Sequence, residues 1–306
     1  MSAPVEKPLV VSCQGEQLLA ILHGASTAAR PGILIVVGGP QYRVGSHRQF
    51  IQLARSLAAG GYPVLRFDCR GMGDSSGTFP GFENIGPDIR AAVDAVKREL
   101  PDLPGVVIFG LCDAAAAALL YCQSDVRILG LVLANPWVRS TSGEAKSYVK
   151  HYYGRRVFQA SFWRKLLTGR LNVVASLADF FRKLARARSA LQPSQQSMSF
   201  IDRMLVGFEA FAGRTLILLS ERDLTAQEFR DLCRSSSAWG AAIRRPGVTV
   251  HACSQADHTF SQSRARDEAT SAILQWLQQH AVAAPAKGAP AIAGGAIAEG
   301  TRRRLP

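Results

Sequence analysis

Long apolar runs are missing from these 306 residues. None approaches the ~18 consecutive apolar residues a membrane-spanning helix needs. No basic start leads into an apolar stretch either, so a cytoplasmic protein is expected. Paired cysteines are missing too. Cys13, Cys69, Cys112, Cys122, Cys233 and Cys253 form no C-x-x-C pair and have no histidine at ligand spacing. That argues against a zinc site or disulfide scaffold and for free thiols; neither metal nor cofactor is called for. Acids are scarce in one place. Between Lys146 and Arg188, eleven Lys or Arg stand against Asp179 alone, and the tail after His280 adds Lys287 and residues 302–304 against Glu299. These two stretches carry the whole net charge of +13, leaving the remainder neutral. A nucleic-acid binder spreads basic residues over its folded face, so no nucleic-acid partner is expected.

What is present is an alternation of short apolar runs and helical periodicities. Residues 9–12 and 17–22 read as a hairpin across Gln14-Gly15-Glu16, and 33–37 as a buried strand entering Gly38-Gly39-Pro40. A helix over 48–59, a strand over 62–68 and a helix over 85–100 follow. Strands over 106–109 and 128–134 bracket an alanine-rich helix. After an irregular stretch, 138–209, come a strand (215–219), a helix (226–235), a strand (248–252) and a last helix (266–280). Such an order is that of an α/β fold, a mostly parallel sheet with helices on both faces. The expected organisation is a core of 1–137 and 210–280, a basic cap insertion over 138–209 and a disordered tail over 281–306. Within the insertion, apolar residues recur at helical spacing over 171–185, with Arg182, Lys183 and Arg186 on the opposite side; that basic face suits an anionic membrane or polysaccharide.

Gly110-Leu111-Cys112-Asp113-Ala114 lies between the strand at 106–109 and the alanine helix. A sharp strand-to-helix turn with small neighbours is a nucleophile elbow, here carrying cysteine. Asp223 follows a later strand and His258 the last one, which gives the chain order nucleophile, acid, base. Taken singly, Cys112 would be a buried thiol and Asp223 a helix cap; their common order favours catalysis. Ser75 in Gly73-Asp74-Ser75-Ser76-Gly77 matches G-x-S-x-G literally. It is followed by Phe79-Pro80-Gly81 rather than a helix, so a loop-shaping role is expected. In a Cys112-His258-Asp223 triad the thiolate attacks an acyl carbonyl, the imidazole moves the proton, and the carboxylate fixes the imidazole. The oxyanion requires two backbone N–H donors: that of Asp113, and one from the loop after the strand at 33–37. Pro40 has no N–H, leaving Gly39 first and Gln41 as the alternate.

The segments GGPQYRVGSHRQF (38–50), FDCRGMGDSSG (67–77), FGLCDAA (109–115), SERD (220–223) and ADHTF (256–260) resemble those of α/β-hydrolases, in detail the exosortase A system-associated hydrolase 1 family, over about residues 9–279. The D-x-R-G-x-G-x-S and D-H-T-F segments are general to the fold, whereas the cysteine elbow with the GGPQYR loop marks the narrower family. The resemblance implies an α/β-hydrolase fold and a context of exopolysaccharide production and envelope sorting, without a substrate. The expected activity is that of an acyl hydrolase or acyltransferase on a small-molecule ester or thioester. A non-catalytic binding or assembly factor on a hydrolase scaffold is the alternative.

Overall fold

A computed structural model describes residues 6–24, 30–39, 41–139 and 198–280. β1 (Glu6–Cys13) and β2 (Glu16–His23) pair antiparallel. Their turn places Gln14 and Gly15 at φ 50° and 85°, as two-residue turns between right-twisted strands require. The sheet continues with β3 (Gly32–Val36), β4 (Val64–Phe67), β5 (Val106–Leu111), β6 (Ile128–Ala134), β7 (Arg214–Ser220) and β8 (Val248–Cys253). Its order is β1-β2-β4-β3-β5-β6-β7-β8; β2 meets β4 antiparallel, and every later pairing is parallel. β3 to β6 are buried along their whole length, which explains why β3, β5 and β6 read as continuous apolar runs rather than alternations. β4 is interrupted by the buried Arg66, whose Nε donates to His23 Nε2 at 2.8 Å.

Helices α1 (Gln49–Ala59), α2 (Gly86–Glu99), α3 (Asp113–Tyr121), α4 (Phe200–Ala210), α5 (Leu224–Ser235), α6 (Ser237–Arg244) and α7 (Ser263–Gln279) flank the sheet. Helix α3 has no solvated face. Ala114 to Ala118 are all buried, because β5 lies on one side and α4 on another. Gly207 of α4 permits that approach: a Cβ there would lie 2.2 Å from the Leu119 carbonyl oxygen. Residues 200–209 of the expected insertion therefore belong to a helix seated on the core, α4, with Phe200 edge-on to Phe82. Ser199 caps it, accepting the Asp202 N–H. The expected helix over 171–185 and the tail over 281–306 lie outside the described residues.

Parallel strands align their carboxyl ends. Val36 pairs with Gly110, Leu111 with Ala134, Ala134 with Leu218, and Ser220 with Cys253. The loops after β3, β4, β5, β6, β7 and β8 thus open on one edge, where such sheets gather their functional groups.

Candidate active site

Cys112 stands between β5 and α3 at φ 64°, ψ −123°, a conformation that a non-glycine residue holds only when its surroundings enforce it. They do so through the backbone. Its N–H donates to the Ala134 carbonyl at 2.9 Å, and its own carbonyl accepts from Ala115 at 3.1 Å and Trp137 at 3.2 Å. Gly110 clears the turn, since a Cβ there would stand 2.6 Å from the Ala114 carbonyl oxygen. The side chain is half-buried.

The structure brings His258 and Asp223 to that thiol. His258 Nδ1 lies 2.9 Å from Asp223 Oδ2, and Cys112 is the other side-chain hydrogen-bond partner of the ring, which leaves Nε2 for the sulfur. The hydrogen bonds from Asp223 and Cys112 overcome the opposing effect of burial and push the imidazole up to about 10. At neutral pH the ring is therefore an imidazolium between a carboxylate and a sulfur. Asp223 has two tasks at once. Its carboxylate accepts the Thr225 and Ala226 N–H groups, each at 3.2 Å, as the cap of α5, and it also holds His258. The nearby Asp257 does not compete. It accepts the Ser261 N–H at 2.9 Å and the Ser261 hydroxyl; burial raises it, but these bonds outweigh burial and hold it below the usual carboxylate range.

Gly39 holds a different partner from the one expected. Its N–H donates to Asp113 Oδ2 at 2.9 Å, so the group expected to receive a substrate oxygen is engaged by the side chain next to the nucleophile. Gln41 braces the same loop: its side-chain oxygen accepts from Ser46 N–H at 3.2 Å. Ser75 is committed to architecture. Its hydroxyl accepts the Leu19 N–H at 2.9 Å and donates to the Asp68 carbonyl at 2.8 Å, stapling the loop to β2.

Three supporting groups escaped sequence reasoning. Fully buried Asp68 accepts both the Arg43 N–H and its guanidinium, tying the loop after β3 to the loop after β4. Arg43 is itself only half-buried and also pairs with Asp74 at 2.7 Å. Asn135 spans the ends of β6 and β7: its Oδ1 accepts Ser220 N–H at 2.9 Å while its Nδ2 reaches Ser220 Oγ at 3.0 Å and the His258 carbonyl at 3.4 Å. The third is the Asp113 carboxylate. The first and last had signals in the D-x-R-G-x-G and cysteine-elbow segments; Asn135 had none beyond its place after a strand.

His251, Cys253 and Glu268, where β8 meets α7, have donor atoms all within 4.8 Å of one another. Burial pushes Cys253 up to about 12, keeping it a neutral thiol, and Glu268 already accepts Ser254 N–H at 3.1 Å. A metal there would have to displace both arrangements.

Residues 32–221 match the family described as serine aminopeptidase, S33. Lysophosphatidylserine lipase ABHD12 of Bos taurus is 34% identical over 128 residues, 40% of this chain and 31% of that protein. The chain thus spans about a third of the length of that curated relative. Among solved structures, an esterase of Pyrococcus furiosus superposes with a TM-score of 0.62 at 15% identity, covering 90% of this chain and 91% of that one. Proline iminopeptidase of Mycobacterium smegmatis gives 0.56 at 14% identity, over 91% and 100% of the two chains. Identities this low carry the fold alone.

Proposed function

This chain belongs to the serine aminopeptidase S33 family of α/β-hydrolases, and from that membership we propose that it is an acyl hydrolase or acyltransferase on ester or thioester bonds, working through a thioester on Cys112. The observation that carries the reading is the convergence of Cys112, His258 and Asp223 at the carboxyl edge of the sheet. With His258 an imidazolium, the attacking species is the Cys112 thiolate of an ion pair. Its sulfur bonds to the acyl carbon; the bond to the leaving oxygen or sulfur then breaks, and the His258 proton passes to that leaving atom. The neutral imidazole next takes a proton from water or an acceptor hydroxyl, whose oxygen attacks the thioester and releases the thiolate. Asp223 keeps Nδ1 protonated and Nε2 facing the sulfur throughout.

The resemblance to exosortase A system-associated hydrolase 1 supports an acyl substrate or acceptor in exopolysaccharide or envelope synthesis. Comparison with a lysophosphatidylserine lipase supports an ester of similar kind. A binding factor on a hydrolase scaffold is the second reading, favoured by the engagement of the Gly39 N–H by Asp113. Variants separate them. Cys112→Ala is expected to abolish hydrolysis of a generic p-nitrophenyl ester, and Ser75→Ala to retain it. Wild-type protein that turns over neither ester nor thioester, with a Cys112 no more reactive than a free thiol, would favour the scaffold reading.

A further inference from the structure

Asp113 is the first residue of α3, directly after Cys112, and its carboxylate folds back over the turn. Oδ2 accepts the N–H of Gly39, 74 positions away in sequence. The backbone N–H groups of Ala114 and of Asp113 itself also favour the charged form. Oδ1 is buried and has no hydrogen-bond partner among the described residues. The loop is cut to fit this group: a Cβ on Gly38 would lie 2.0 Å from Oδ1, whereas one on Gly39 would meet nothing within 4 Å. An acid in a first helical turn ordinarily remains solvated and needs neither a glycine-shaped recess nor a distant loop N–H. Here a carboxylate sits on the donors that acyl-transfer chemistry reserves for a developing oxyanion.

We propose that the Asp113 carboxyl is the resting occupant of the oxyanion site, and that an acyl substrate reacts only when its carbonyl oxygen takes the Gly39 N–H from it. This rests on the catalytic reading above. One N–H hydrogen does not serve two anions well, and an oxyanion beside a carboxylate pays for their repulsion. Asp113 must therefore accept a proton before the tetrahedral intermediate forms, and the unpartnered Oδ1 is the atom placed to take it. Burial favours that neutral form, against the hydrogen bonds and the His258 charge that favour the carboxylate. The neutral acid is the weaker acceptor and yields the N–H more readily. Asp113 thus becomes a positioning residue that sets which carbonyl groups, and at what pH, enter the hole.

Two rates on the same sulfur test this. Burst acylation by p-nitrophenyl acetate builds an oxyanion; alkylation by iodoacetamide displaces iodide at a saturated carbon and builds none. The ratio of acylation to alkylation is expected to rise about tenfold or more in Asp113→Ala, within the range a single oxyanion donor controls. Asp113→Asn, which keeps the shape without the charge, is expected to show a smaller rise. In wild type the ratio should fall as pH rises through the Asp113 titration, and over that same range, below the His258 limb, it should be flat in both variants. A ratio that is unchanged or lower in folded variants, or a flat wild-type ratio, overturns the proposal and makes Asp113 a loop anchor. If the variants do not fold, the wild-type pH dependence decides alone. Failure of the underlying reading looks different: an ester burst would persist in Cys112→Ala.

Discussion

His258 keeps its proton well past neutrality because the Asp223 carboxylate and the Cys112 sulfur both favour the charged ring. The sign of the pH dependence follows. A histidine raised from about 6.5 to about 10 in the fold stabilises the protein fully below the unfolded value, and that contribution is lost as pH rises through about 10. Cys112 acylation should therefore hold across neutral pH and fall on the alkaline side, where the leaving group loses its proton donor. Asp223→Asn removes the principal cause of the shift, so the alkaline limb should move to lower pH while turnover drops by about 10⁴. Asn caps a helix as well as Asp does, so the α5 cap is kept and the variant should fold with near wild-type stability. A pH–rate series on the two proteins measures both effects. An unmoved limb with intact turnover would transfer the acid's role to another carboxylate.

At the level of elements, the elbow depends on backbone clearance more than on side-chain contact. Gly110→Ala would drive a Cβ to 2.6 Å from the Ala114 carbonyl and 2.7 Å from the Ala115 nitrogen, neither of which moves without moving α3. Denaturant unfolding should show a loss of about 1–3 kcal/mol, and ester acylation should fall with it. Wild-type stability and rate in that variant would mean that the turn has slack. The strands and the order of the three reactive side chains were legible because each side chain follows a strand. Cys112 and Asp223 follow the buried apolar runs of β5 and β7. His258 follows β8, whose β-branched Val248, Thr249 and Val250 mark a strand that is mostly exposed or half-buried. The strand ends were less legible: β5 continues to Leu111 and β8 to Cys253 because the ladder pairs Leu111 with Ala134 and Ser220 with Cys253. The start of α5 at Leu224 follows from the Asp223 cap. Helix α6, eight residues long, is too short for its periodicity to stand out, and α4 lies in the stretch where the strand–helix alternation stops. Contacts such as Gly39 with Asp113, Arg43 with Asp68 and Asn135 with Ser220 join positions 74, 25 and 85 residues apart. No local pattern records them.

Across the whole molecule, the six cysteines divide sharply. Cys13, Cys69, Cys122, Cys233 and Cys253 are buried, and burial raises every one of those thiols. Cys112 alone is half-buried and shares a hydrogen bond with an imidazolium. Native protein should therefore show one fast thiol toward a neutral disulfide reagent and six after denaturation. Several fast thiols would mean that the core opens readily. No helix among the described residues is long and apolar enough to cross a membrane. The basic excess of 146–188, expected to meet anionic lipid or polysaccharide, lies outside those residues. The most direct measurement of the central claim is mass spectrometry of the protein trapped at acid pH during turnover of a p-nitrophenyl ester, followed by peptide mapping. One acyl group on the Cys112 peptide, absent from Cys112→Ala and present in Ser75→Ala, is the expected result. Acylation of the Ser75 peptide, or turnover by Cys112→Ala, would contradict it.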